Sequence, residues 1–484
     1  LYIYMPYVDE ESFRTRVAAI LNNGNNSTAS TPGNEFNFNN QKIRLSNIGN
    51  QYCDEFLTLC LILVIIRLSW LSLPPKPLDT QGQGQTQQFT QNEMLLMKPE
   101  NFISFVLVDL VKEIFSSAKI MTKPSVIIFQ VGLFLKIYST VSPEDGFDTD
   151  DSYTKNSAYN PSSGAAAAAD PGTPNSTASN SNDLSGDLSN ESPNMNSPNF
   201  ISMLVQLART IGLNRDPLNF KNFYSTATDD EVTVGKLFRR RHLWRKLWYG
   251  LLFLTIEANL SLGDYRKGLP IELDMDPTLG NIVNTTWDCR LPGGIEQGVL
   301  EKTFQNSKCL QRELCAVQIF RESIASYRWV YQGMKLLFAV DKPPKTLDLE
   351  NVIFKLNEII CEGSKFGFGI DLIMGDKEIV NPFRARNSAV WVKKYTKQIK
   401  VMRLKVHLIV KNMIFSLNYL LFLNHEQKLS RLLGQKNSSI EKIKKQRAYI
   451  EFFFESALLS SIENFKLFVQ FMDDSKTVFP NCST

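Results

Sequence analysis

The sequence predicts an all-α protein, one large helical domain with long polar loops inserted between its helices. Three observations lead there. Apolar residues recur at three- and four-residue steps through most of the 484 positions, which is the period of a helix face. No alternating apolar/polar run reaches strand length. Where the helical period stops, the composition turns to Asn, Gln, Ser and Gly, which cannot bury enough apolar surface to offset the entropy of ordering.

Taken in order, residues 1–142 form an N-terminal helical part. It is interrupted by an Asn-rich loop at 21–41 and a Gln- and Gly-rich loop at 79–92, both read as disordered. Between them lies FLTLCLILVIIRLSWLSL (56–73), which invites a membrane reading. Its uninterrupted apolar part, Phe56 to Ile66, is 11 residues, against the roughly 20 a spanning helix needs, and Arg67 follows at once. A buried core helix fits better. Residues 102–121 and 125–141 are two apolar helical segments joined by Thr-Lys-Pro. A third disordered insert, 143–199, holds five consecutive alanines, too few for a helix that persists alone.

The main helical part spans 200–474, with a tail at 475–484. In FISMLVQLARTI (200–211), Leu204, Leu207, Ala208 and Ile211 share one face. Asn199 is placed to cap its start, and Gly212 to end it in the left-handed conformation. Tyr395, Ile399, Met402, Val406, Ile409, Met413, Leu417 and Leu420 describe one long amphipathic helix, and another follows at 438–472.

RRRHLWRKLWYG (239–250) poses the sharpest question. Basic residues and tryptophans together suggest a nucleic-acid grip. On a helical wheel, however, Trp244, Trp248, Leu251, Leu252, Thr255, Asn259 and Leu262 share one face, with Lys246 and Glu257 opposite and the basic residues crowded into the first turns. A nucleic-acid stripe repeats its charges along the helix and keeps its aromatics exposed. The buried-core reading therefore outweighs the grip. Arg245, at the border of the apolar face, reads as a partly buried ion-pairing residue whose partner periodicity does not name.

Composition narrows the chemistry. Lys and Arg (53) exceed Asp and Glu (49) by too little, net +4, to argue for nucleic acid. The seven cysteines contain no C-x2-C pair, so no zinc ribbon or thioredoxin-like site assembles locally, and they suit a reducing compartment as small buried hydrophobes. His242, His407 and His425 are isolated and read as structural. No cysteine precedes a proline, so the short haem-regulatory motif is missing. Gly367 and Gly369 lack the third glycine of a dinucleotide loop, Asp229/Asp230 read as solvated loop carboxylates, and no G-x-S-x-G, H-E-x-x-H or Walker motif occurs. An enzyme is not expected. Basic residues run through 384–411 with no acid from Asn381 to His425. A solvated face is the plainer reading, and docking of an acidic partner through Lys393, Lys397, Lys400 and Arg403 the functional one.

Two blocks then carry a resemblance. QLARTIGLNRDP (206–217) followed by RKLWYGLLFLTIEANLSLGDYRKGLP (245–270) resembles the fungal-specific transcription factor domain, the middle regulatory region of binuclear zinc-cluster regulators. Gly212, Leu213, Arg215, Asp216 and Pro217 match its first part, Arg245 and Trp248 its arginine–tryptophan part, and Gly268 and Pro270 its last. Thr255 stands where the family has an aspartate, and the stretch from Leu262 to Gly268 is longer than usual. Residues 2–17 and 402–423 resemble the family's opening and later helices. The closest subgroups in character are the haem-responsive and multidrug-resistance activators.

The resemblance implies a nuclear transcription activator that binds DNA as a homodimer through an upstream six-cysteine zinc cluster. That cluster's pattern is absent from these residues, so zinc is expected outside this chain, which starts at Leu and reads as a piece of something longer. It further implies a transcriptional coactivator as partner and a small hydrophobic effector, haem or a xenobiotic, held among the helices, with no membrane. Trp244, Trp248, Phe253 and Phe368 are candidates for the effector pocket, since apolar sites are lined by aromatics, although core packing is the competing role for each. The alternative is a helical scaffold or adaptor, unrelated to DNA, that binds an acidic partner through the basic helix.

Overall fold

The computed structural model describes residues 5–22, 54–73, 91–98, 101–117, 123–142, 198–224, 230–262, 288–292, 307–339, 343–361, 388–435 and 439–478, with Phe304 and Gly369. Except at their edges, the three expected inserts lie outside these residues, as do Gly268, Pro270 and Phe368. The described residues are helical, without a strand, as the periodicity predicts.

The N-terminal part contains α1 (Glu10–Asn22), α2 (Asp54–Leu71), α3 (Gln91–Leu96), α4 (Phe105–Ser117) and α5 (Val126–Val141). The apolar run 56–73 is α2, a core helix that packs on α4 and α5. Arg67 at its end is itself buried. Its guanidinium donates to the Ile103 carbonyl at 2.9 Å and lies over the Trp70 and Phe102 rings at 4.5 and 5.0 Å. Carbonyl and ring faces replace the water that the cation loses. α5 is buried from Ile127 to Ser139, starts at the Ser125 cap, and lies at the centre of this half.

α6 (Pro198–Ile211) begins one residue before the expected cap, so Asn199 lies inside its first turn. Its end follows expectation: Gly212 has φ +90°. The Leu213 N–H reaches the Ala208 carbonyl at 2.8 Å and the Gly212 N–H the Arg209 carbonyl at 3.0 Å, the paired bonds of a Schellman stop. Two short 3-10 turns, Pro217–Asn219 and Lys221–Phe223, lead on to α7 (Glu231–Leu262). α7 starts eight residues before Arg239, so the basic cluster lies in its third turn rather than its first. Asp230, expected to be a solvated loop carboxylate, caps it by accepting the Thr233 N–H at 3.2 Å.

The remainder is α8 (Ser307–Leu337), α9 (Thr346–Ile360), α10 (Ser388–Leu433) and α11 (Ile440–Val478). α10 packs on α8 and α9 with one face and on α11 with another. The last two helices run antiparallel: Leu404 clusters with Leu467, Asn464 donates to Asn412 at 2.9 Å, and Phe422 meets Phe454 at 5.5 Å between centroids. The α11 side of this seam is Gln446, Ile450, Phe453, Ala457, Ser460, Asn464, Leu467 and Phe471, none of them exposed. They alternate four- and three-residue steps, the spacing of a coiled-coil seam.

One core cluster takes residues from Tyr7 through Phe453, so both sides of the 143–199 insert contribute to the same interior. Among the described residues the segment Gln398–Leu433 is long and apolar enough to cross a membrane by length and composition. Its Arg403 and His407 are buried in protein, and its apolar faces meet α8, α9 and α11.

Candidate functional site

Two of the motif residues, Asp216 and Arg245, meet in one buried hub. The turn after α6 delivers Asp216 to α7, where Arg245 Nε lies 3.0 Å from Asp216 Oδ2 and Arg245 Nη2 donates to Oδ1 at 3.1 Å. Asp216 also accepts the N–H groups of Leu218 at 3.1 Å and Arg290 at 3.0 Å. Asp288 extends the hub, accepting the Asp216 N–H at 2.9 Å and the Asn219 side-chain amide at 2.6 Å. Trp244 Nε1 donates to the Arg215 carbonyl at 3.2 Å, and Tyr249 Oη to that of Cys289 at 3.2 Å. Burial pushes the Asp216 carboxyl upward, but Arg245 and the two N–H donors outweigh it and the net shift is down. Asp216 is thus the partner that periodicity leaves unnamed for Arg245. The segment 288–290 has no signal in the sequence, because its groups join the hub from more than 70 residues away through backbone and one carboxylate. Thr255, at the family's aspartate position, is buried and donates to the Leu251 carbonyl at 2.8 Å.

The rest of RRRHLWRKLWYG also turns inward. Arg239 lies 3.5 Å from Asp9 and 3.4 Å from Glu11 of the N-terminal segment. Arg241 Nε donates to the Phe223 carbonyl at 2.9 Å. Trp244 packs edge-on against Phe223 at 5.1 Å. Lys246 departs from the wheel: it is buried on the side opposite the tryptophans, its Nζ 2.7 and 2.9 Å from the Glu313 carboxylate of α8. His242 Nε2 lies 2.5 Å from the same carboxylate. Burial pushes Glu313 up, yet Lys246 and His242 hold it well below the usual carboxylate range. His242 is pushed down, chiefly by burial, against the opposing pull of the Glu313 carboxylate. Arg240, over the Phe223 ring at 4.8 Å, is the exposed member of the cluster.

An apolar groove of about 790 Å³ opens between α7, α8, α10 and α11. Leu260, Leu337, Leu408, Ile409, Leu420 and Phe471 line it, and Phe415 and Tyr419 stack along one edge at 6.1 Å. Its polar end is a linked set: Tyr327 donates its hydroxyl to Glu257, and Lys405 Nζ sits 2.8 Å from Glu257. The volume and lining suit a drug-sized apolar molecule with one polar end.

Those of the expected pocket residues that are described fall elsewhere. Trp248 and Phe253 are in the core, where Phe253 stacks on Tyr327 at 4.4 Å. Trp244 borders a second, more polar cavity of about 490 Å³ with Lys236 and Arg240. The groove escapes sequence reading because Phe415, Tyr419 and Leu423, at four-residue steps, resemble a widened core face.

The basic run does not form an open face where it is described. Lys400 and Arg403 are buried, and Arg403 Nη2 grips Glu322 of α8 at 3.0 Å from both carboxylate oxygens. Lys411 pairs with Glu463 at 2.5 Å. The balancing acids come from α7, α8 and α11, which a local count of charges does not see. Lys393 and Lys397 lie on α10, their side chains outside the described residues. Among the described residues no three His, Cys, Asp or Glu side chains converge.

No family profile and no solved structure matches the chain. A Candida albicans protein named multidrug resistance regulator 1 is 22% identical over 435 residues, which cover 88% of this chain. The chain spans only 29% of that relative's length. Over most of its length, then, this chain is similar to a fungal regulator and not to an enzyme.

Proposed function

We propose that the chain is the regulatory region of a fungal zinc-cluster transcription activator, and that the groove between α7, α8, α10 and α11 holds the hydrophobic effector that sets its output. The groove carries the reading: a largely apolar concavity of about 790 Å³, lined by Glu257 and Lys405 and also by Asn412 and Ser416. The similarity to a multidrug resistance regulator and the Asp216–Arg245 hub at the motif positions support it. Among the described residues lining the groove there is no His or Cys, which favours a xenobiotic or fatty acid over haem, whose iron takes such side chains as ligands. DNA contact belongs to an upstream six-cysteine cluster. The 484 residues contain no C-x2-C pair, so the cluster's cysteine pattern does not occur in them. Action in the nucleus, with a coactivator reading the liganded state, follows from the same proposal.

The test is a thermal-shift screen of the chain against azole-like drugs, fatty acids and haem, repeated on Ser416→Trp, which fills the groove. An effector present at 100 times its Kd raises stability by about 2.7 kcal/mol. Stabilisation lost in Ser416→Trp supports the groove. Stabilisation retained there, or absent for every apolar compound, overturns it.

A further inference from the structure

α11 shows a second apolar stripe beside its seam with α10. Phe454, Leu458, Ile462, Phe465 and Val469 are 49, 48, 38, 70 and 40% exposed. At 100° per residue they fall within about 80° of arc beside the seam that holds α10, with Phe454 at the near edge, where its ring also meets Phe422. Soluble surfaces seldom leave such a contiguous patch open unless something docks there.

We infer that this stripe docks a second copy of the chain, α11 against α11 in antiparallel orientation about a two-fold axis near Ser460. The pattern is its own complement. With the axis there, Leu458 meets the partner's Ile462, and Phe454 meets the partner's Phe465. The charges agree in the same register: exposed Glu451 and Glu455 flank one end of the stripe and exposed Lys466 the other. Antiparallel docking brings each glutamate pair to the partner's Lys466. A two-fold contact requires such self-complementarity, and it doubles every favourable pair. A parallel arrangement sets Glu455 against the partner's Glu455.

The stripe runs about 22 Å along the helix, from 15 steps of 1.5 Å. A strip of that length and one helix wide falls short of the roughly 1,200 Å² that standard interfaces bury, so association no tighter than the micromolar range is expected. The contact uses neither the groove nor the hub, and stands whether or not the regulatory reading holds.

Sedimentation equilibrium of the 484-residue chain tests it. A monomer–dimer equilibrium is expected, weakened about tenfold or more in Lys466→Glu, because like charges then face each other twice. The Glu451→Lys/Glu455→Lys variant should be weakened in the same way. Mixed in equal amounts, the two variants should associate with each other more tightly than either does with itself. All these positions are exposed, and circular dichroism checks that each variant is folded. A wild-type chain that stays monomeric at 100 μM overturns the inference. So do charge variants that dimerise unchanged, or a mixture that shows no preference for the mixed pair.

Discussion

Arg245 and Asp216, 29 positions apart, face each other through two hydrogen bonds of 3.0 and 3.1 Å, with both side chains almost fully buried. Removing one partner strands the other charge away from water, which costs about 3–5 kcal/mol. Arg245→Ala and Asp216→Ala should each lose about that much in urea unfolding. The double variant should lose distinctly less than their sum. Arg245→Lys should recover only part, because a point charge cannot reproduce the two-pronged contact. Additive losses would show that the pair is not coupled.

Glu313 and His242 make stability depend on pH in one direction. Glu313 is lowered in the folded state, so its contribution is present above the ordinary glutamate range near pH 4.3 and is lost as the pH falls below it. His242 is lowered as well. The unfolded chain therefore takes up a proton near pH 6.5 that the folded one refuses, and stability begins to fall there on acidification. His242→Gln should flatten the curve between about pH 6.5 and 5 and leave the acid limb in place. An unchanged slope over that interval would count against the assignment.

Arg403 and Lys405 are two residues apart in the basic run and should behave differently. Arg403→Ala breaks a buried two-pronged contact with Glu322 and should cost about 3 kcal/mol. Lys405 is half exposed in its pair with Glu257, so Lys405→Ala should cost no more than about 1 kcal/mol. Denaturant midpoints measure both, and equal costs would return the run to a simple solvated face.

Gly250 lets α7 meet the N-terminal segment. A Cβ there would press into the Tyr7 ring, closer than any van der Waals contact allows. The Tyr7 carbonyl is itself held by the Gln130 side chain at 2.7 Å, so the ring has little freedom to retreat. Gly250→Ala should destabilise by about 1–3 kcal/mol despite its better helix propensity. A stabilised variant would show that the segment moves aside easily.

Helix faces were legible in the sequence where one face meets one core. The series from Ile399 to Leu420 and the stop at Gly212 came from spacing and conformational preference alone. The start of α7 was not, because a capping aspartate in a polar stretch looks like any loop residue until its N–H partner is known. Nor was the burial of Lys246: a wheel records apolarity, and the acid that admits this lysine to the interior lies 67 positions away. Of the sites, the Asp216–Arg245 pairing was half visible through the motif, which marks both residues without saying that they touch. The groove was invisible, since four helices contribute to it and no single stretch carries its shape.

The narrow seam along α11 has a consequence for how the molecule opens. Much of this helix already faces water, whereas α5 is buried from Ile127 to Ser139, so detaching α11 from α10 exposes less hidden apolar surface than releasing α5. The α11 amides should exchange with deuterium through local opening, well below the free energy that releases α5. The chain therefore has two tiers of protection, a slow interior around α5 and α7 and a fast outer arm.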